Sequence, residues 1–196
     1  MQSTARTNQD RTGKTRAALL AAARALFVSK GYAGTSTPEI VAAAGITRGA
    51  LYHHFEDKRD LFRAVVTEEA REVARAIEGR APDTLPPLEA LVAGGVAYLD
   101  AMREPGRTRL LLIEAPAVLG MAEVRALDES NAARTLGEGL AAALSQAGRD
   151  AGMPLAALTD LLSAAFDRAA LAIDSGADPA DYRAAISALI RRLVLN

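Results

Sequence analysis

Arg48, Gly49, Tyr52 and His53 place a guanidinium, a phenol, an imidazole and a bare backbone position within six residues. Projected at 100° per residue from Thr47, they fall between about 100° and 240°, while Ala50, Leu51, His54 and Phe55 fall between about 300° and 80°. One face of a short helix is apolar and the other carries hydrogen-bond donors. A guanidinium donates to guanine edges or phosphate, a phenol and an imidazole donate to phosphate oxygens, and a glycine lets a backbone approach closely. Lys58 follows near the start of the next helix, where an ammonium and free amide groups can hold a phosphate together. This chemistry suits the major groove of double-stranded DNA.

Other chemistries find little support. The chain has no cysteine and only two histidines, His53 and His54, which diverge by 100° on a helix, so a zinc site is not expected. No serine sits in a nucleophile elbow, and there is no glycine-rich phosphate loop. We therefore expect no catalytic residue, no metal and no cofactor. The bland alternatives are that Tyr52 and Phe55 are core aromatics, that His54 is a packing residue, and that Arg48 and Lys58 are merely solvated.

The elements that must position these residues are legible nearby. Ser36 is a plausible N-cap with Glu39 as its capping-box partner and Pro38 in the first turn. The helix runs through Ile40 to Ala44, Gly45 allows a tight turn, and Thr47 caps the next helix. Two short helices around a glycine turn have the spacing of a helix-turn-helix. Apolar spacing of three and four predicts helices throughout, near residues 12–30, 37–44, 48–55, 58–79, 86–103, 107–119, 123–147, 154–175 and 179–194. The fold class is thus all-α, about nine helices, with a three-helix amino-terminal domain (1–60, beginning in a mobile arm over 1–11) and a larger helical domain (61–196). Arg6 and Arg11 in the arm are further candidates for DNA contact.

Net charge divides along the same line. Residues 1–60 hold nine Lys and Arg against five Asp and Glu, net +4, and the remainder fourteen against nineteen, net −5. A basic head on an acidic body suits phosphate docking. The polar amino terminus and the lack of a long apolar run predict a soluble, cytoplasmic protein without membrane association.

The run from Gly31 to Phe62, GYAGTSTPEIVAAAGITRGALYHHFEDKRDLF, closely resembles the TetR-family DNA-binding signature. The resemblance implies a homodimeric repressor released from a palindromic operator by a small-molecule effector. It assigns Thr47, Arg48, Gly49, Tyr52 and His53 to the recognition helix, Lys58 to a backbone contact, Thr37 to the groove edge, and Lys14 and Thr15 to phosphate. Pro38 departs from the charged or branched residue many relatives carry. The rival reading is a constitutive DNA-binding dimer without an effector.

Beyond residue 60 the pattern gives architecture. In the last helix Tyr182, Ile186, Leu189, Ile190 and Leu193 share one stripe, and the helix before it is apolar over most of its circumference. The family pairs these two helices with their symmetry copies, setting two reading heads about 34 to 36 Å apart. Asp160, Asp167 and Asp174 form an acidic line that faces solvent, an interfacial partner, or a cavity for a cationic ligand, with Asp167 beside Phe166 the most central. Tyr98, Met102, Leu112, Leu119 and Met121 lie on helices that enclose the effector pocket in relatives, and serve equally as plain core. Glu114 precedes Ala115-Pro116, where the proline removes a backbone donor and bends the helix.

Overall fold

A computed structural model describes residues 3–82, 84–149, 152 and 154–196, with side chains from residue 12 onward. The described residues are helical throughout their regular structure. They form α1 (Ser3–Lys30), α2 (Thr37–Ala44), α3 (Arg48–His54), α4 (Lys58–Arg80) and α5 (Pro87–Met102). Three consecutive segments, Arg107–Arg109, Leu110–Glu114 and Ala115–Leu119, make one rod, α6, whose middle is π-helical. Then come α7 (Met121–Glu129), α8 (Ala132–Gln146), α9 (Leu155–Asp174) and α10 (Pro179–Leu195). No helix among them is long and apolar enough to cross a membrane.

Two departures from the expected element list have local causes. Residues 123–147 are two helices, broken at Ser130 and Asn131, where Ser130 Oγ donates to Ala126 O and Asn131 Nδ2 to Leu127 O. These side chains take up carbonyls that a continuing helix would bond through its own N–H groups. Helix α1 begins at Ser3, so the backbone expected as an arm over 3–11 continues the helix. The side chains of Arg6 and Arg11 lie outside those described.

The π segment is where Pro116 acts. A proline has no N–H to give to the carbonyl four residues back and its ring crowds that carbonyl. The rod widens immediately before it, with Ala115 N–H donating five residues back to Leu110 O.

The α1–α2–α3 unit encloses Leu19, Phe27, Ile40 and Leu51, all fully buried, together with Phe55. Helix α4 closes this core with Leu61, Phe62, Val65 and Val66, and α6 adds Leu110, Ala115 and Leu119. Further along, α4 turns Val73 and Ile77 towards Met102 of α5 and Ala170 of α9. Helix α5 is the hub of the body, where Leu91 and Leu99 pack with residues of α8, α9 and α10. Position 60 falls inside α4.

One ion-pair triad ties three helices. Glu69 of α4, with a side chain 7% exposed, receives Arg24 Nε of α1 and Arg107 Nε of α6, each at 2.8 Å. Burial raises its pKa, but the hydrogen bonds from Arg24 and Arg107 outweigh that and leave the carboxyl below its ordinary value. A carboxylate with a depressed folded pKa stabilises the fold above the ordinary carboxylate range and loses that contribution as pH falls through the folded pKa. Glu69→Gln should therefore cost about 2–3 kcal/mol at pH 7, because Arg107 loses its carboxylate and Arg24 keeps only the more distant Glu104, at 3.7 Å. Chemical denaturation of both proteins at pH 7 and at pH 3 should show the gap narrowing in acid.

Candidate functional site

Helix α3 is built so that one face is committed to the core. Thr47 caps it by accepting Ala50 N–H at 3.2 Å, Leu51 is fully buried and Phe55 ends the helix at 4% exposure. The opposite face presents Arg48, Gly49, Tyr52 and His53, all exposed. The Arg48 guanidinium lies 5.5 Å from the centre of the Tyr52 ring, an arrangement that orients a donor without consuming its N–H groups. A Cβ added at Gly49 would meet nothing within 4 Å, so packing within the chain does not require the glycine. The α2 capping box forms as expected, with Glu39 accepting from Ser36 N–H and from Lys30 Nζ. Gly45 ends α2 at φ 66°, the left-handed turn that sets α3 against it.

On α1, Lys14 is exposed and Thr15 half-buried, and Thr37 is half-buried at the start of α2. His54 is half-buried, and burial together with the charges of His53 and Arg16 lowers its pKa. Arg16 was not singled out in the sequence. It is exposed and its guanidinium lies 5.4 Å from the Phe55 ring centre, which places a third α1 group beside Lys14 at the foot of α3. Its signal was a basic residue within one turn of Lys14 and Thr15.

Lys58 has partners within the chain. Its ammonium donates to Tyr32 O and Thr35 O, both at 2.9 Å, and sits 4.1 Å from the centre of the Tyr32 ring. Two of its three protons are thus spent on the turn between α1 and α2, and the side chain is half-buried. Tyr32 also packs edge-on against Phe62, which meets Phe27 in the same way.

The body grips this head through α6 and α7. Glu114 accepts Tyr32 N–H at 2.9 Å and pairs with Arg109 at 3.0 Å. Gly31, at φ 73°, lets the carboxylate in, since a Cβ there would stand 2.9 Å from Glu114 Oε1. From α4, Arg59 donates to Val118 O, Leu119 O and Glu123, and Arg63 bonds Glu123 as well. Sequence reading saw the proline kink near Glu114 but not this contact, because nothing local marks residues 31 and 114 as neighbours.

Two chambers of about 540 and 560 Å³ lie in the body. Tyr98, Asp128, Ala132 and Ser163 border both. Phe166 lines the first, and Met102, Leu112, Met121 and Asp167 the second. Leu119 lines neither. It is 6% exposed in the core shared with α1 and α4. Each residue of a π turn advances the helix by less than 100°, so Leu119 falls off the face it would share with Leu112 in an uninterrupted α-helix.

The three aspartates of α9 have separate fates. Asp160 is exposed beside Arg125 at 3.5 Å, Asp174 is exposed, and Asp167 accepts the Tyr98 hydroxyl at 2.5 Å. Asp128, which the sequence reading missed, receives Ser163 Oγ at 3.4 Å. Burial, and then the charge of Asp167, push the Asp128 carboxyl up to about 6. Burial also raises Asp167 and lifts the Tyr98 phenol well above its usual range. Gly95 makes room for the aromatic wall, since a Cβ there would come within 2.8 Å of Phe166.

Two family models match separate parts of the chain. Residues 19–65 match the family of bacterial regulatory proteins, tetR family, and residues 88–196 match the tetracyclin repressor-like C-terminal domain. The HTH-type transcriptional regulator AcrR of Shigella flexneri is 46% identical over 61 residues, 31% of this chain and 28% of that one. The HTH-type transcriptional repressor BepR of Brucella suis is 45% identical over 53 residues, 27% and 25% respectively. The chain thus spans about a quarter of the length of these curated relatives. A TetR-family regulator from Pectobacterium atrosepticum superposes with a TM-score of 0.68 at 32% identity, covering 94% of both chains. RolR, solved in complex with resorcinol, shares the fold at a TM-score of 0.69 and 20% identity, covering 95% of this chain and 90% of its own. With one profile spanning more than half of its residues, the chain belongs to the TetR family.

Proposed function

We propose that the protein is a transcriptional repressor that binds a palindromic operator as a homodimer and leaves it when a small molecule occupies the body. The observation that carries this reading is the exposed donor face of α3, Arg48, Gly49, Tyr52 and His53, on a helix whose other face is sealed into the core. Arg48 reads base edges, Tyr52 and His53 contact phosphates, Lys14 and Thr15 brace the backbone from α1, and Thr37 and Thr47 border the groove. The domain from residue 61 onward holds the effector and the dimer contacts.

Homodimerisation uses α9 and α10. Leu161 is 69% exposed, Leu189 47% and Leu195 60%, and Ala184, Ala185 and Ala188 are exposed beside them. The core of α10 is carried by Ile186, Ile190 and Val194, which frees Leu189 from the expected internal stripe for a partner. Two-fold symmetry then sets the two α3 helices at successive major grooves.

Effector control follows from shared elements. Leu111 and Leu112 of α6 and Asp128 of α7 line the second chamber, while Glu114 and Glu123 of the same helices hold Tyr32 and Arg59 of the head. A ligand that prefers the arrangement unfit for the operator shifts the population, and operator DNA weakens that ligand by the same factor. The chambers favour this over a constitutive DNA-binding dimer, which has no use for them.

Selection of duplexes from a random pool should enrich a palindrome, and failure to enrich one would overturn the proposal. Arg48→Ala should cost about 1–3 kcal/mol on the selected site and much less on random DNA; equal losses on both would remove Arg48 from base reading. Lys58→Ala should lower the melting temperature by several degrees, since Thr35 O and Tyr32 O each lose a charged donor, although Tyr32 O keeps Thr35 N–H. It should leave the salt dependence of DNA binding unchanged, whereas a slope reduced by about one would mean that the ammonium reaches a phosphate. Replacing Leu161 and Leu189 together by arginine should give a folded monomer in sedimentation that no longer binds the palindrome tightly.

A further inference from the structure

Tyr98, Asp128 and Ser163 form a polar waist that borders both chambers of the body, and we infer that this waist takes a cationic nitrogen carried between two apolar groups. The inference rests on the reading of the body as an effector domain and names the class of its ligand.

The shape comes first. The chambers, about 540 and 560 Å³, are each large enough for a substituted aromatic ring, and their walls are chiefly apolar. Leu91 and Phe166 lie on one side, and Val73, Met102 and Leu112 on the other. Tyr98, Asp128 and Ser163 border both, and Asp167 stands beside Tyr98 in the second. An occupant spanning both chambers therefore brings its middle against two carboxyl groups.

The charge decides the chemistry. Of the described residues lining either chamber, one is basic, Arg125, and it is exposed at the rim between Glu129 and Asp160. The rim of the first chamber repeats this arrangement, with exposed Arg134 bridging Glu78 and Glu138. Within the waist, among the described residues, Asp128 and Asp167 are met by hydroxyl and backbone donors, Ser163 Oγ and Ala133 N–H for the first and Tyr98 for the second. Each carboxylate is desolvated and Asp167 repels Asp128, the two largest of the causes that raise the Asp128 pKa, with Glu129 adding a smaller one. A positive nitrogen relieves both penalties together, while an anion adds to them and a neutral group relieves neither. Apolar flanks on the ligand then fill the chambers and displace water from their walls.

Dibenzylamine, protonated at neutral pH with one ring on each side of its nitrogen, has this form, and dibenzyl ether is its neutral counterpart of the same shape. Calorimetric titration of the full-length protein with each should give the amine an affinity at least about tenfold higher than the ether. Asp128→Asn and Asp167→Asn should each shrink that ratio towards one while leaving the affinity for the ether unchanged. Equal binding of the two compounds, no binding of the amine, or a preference for the amine that survives both substitutions together would overturn the inference. None of these outcomes depends on DNA. A failure here thus leaves the operator reading standing, and a failure to enrich a palindrome leaves this result standing.

Discussion

Helix α4 belongs to two cores at once, and that constraint organises the molecule. Its 23 residues span about 35 Å. The first turns put Leu61, Phe62, Val65 and Val66 against the head, and the later turns put Val73 and Ile77 against the body. Its only glycine is Gly79, at the far end, and it contains no proline. A helix of this kind has no hinge within the stretch that joins the cores. The stretch that joins the two cores is thus one continuous helix.

The contacts that hold the head to α6 and α7 are of a particular type. Arg59 donates to two backbone carbonyls at the end of α6, and Glu114 accepts a backbone N–H at the end of α1. Hydrogen bonds from a charged side chain to backbone groups are directional, and the carbonyls at the end of α6 are ones the helix itself leaves unpaired. They depend on the rotational phase of α6 as much as on its position. The π turn at Leu110–Glu114 sets that phase: it aligns Glu114 with Tyr32 while Leu112 still faces the second chamber.

What the sequence disclosed and what it hid differ in range. The helix-turn-helix was legible because its determinants are local, Ser36 with Glu39, the turn at Gly45, the cap at Thr47, and the phase of four residues on α3. Lys58 was legible as a cation near a helix start. Its partners were not, since Tyr32 and Thr35 come beside it only when α1, α2 and α4 close. Pro116 announced an irregular helix without revealing that the rod would widen, so the sequence left Leu119 open between pocket and core, and the structure places it in the core shared with the head. Asp128 carries no mark that separates it from an exposed helical acid. Asp160, Asp167 and Asp174 share a phase, and only the packing of α5 against α9 distinguishes the one that meets Tyr98. The break at Ser130 and Asn131 was hidden because neither residue forbids a helix outright.

Gly95 and Phe166 act as a single volume. A methyl group at residue 95 and the present ring at residue 166 cannot occupy their positions together, so enlarging one obliges the other to shrink or turn. Both residues line the first chamber. Lineages that diverged to recognise different molecules should therefore exchange bulk between these two positions in a correlated way. An engineer reshaping ligand preference would do better to vary them jointly, since altering either alone disturbs the hub of the body before it alters the cavity.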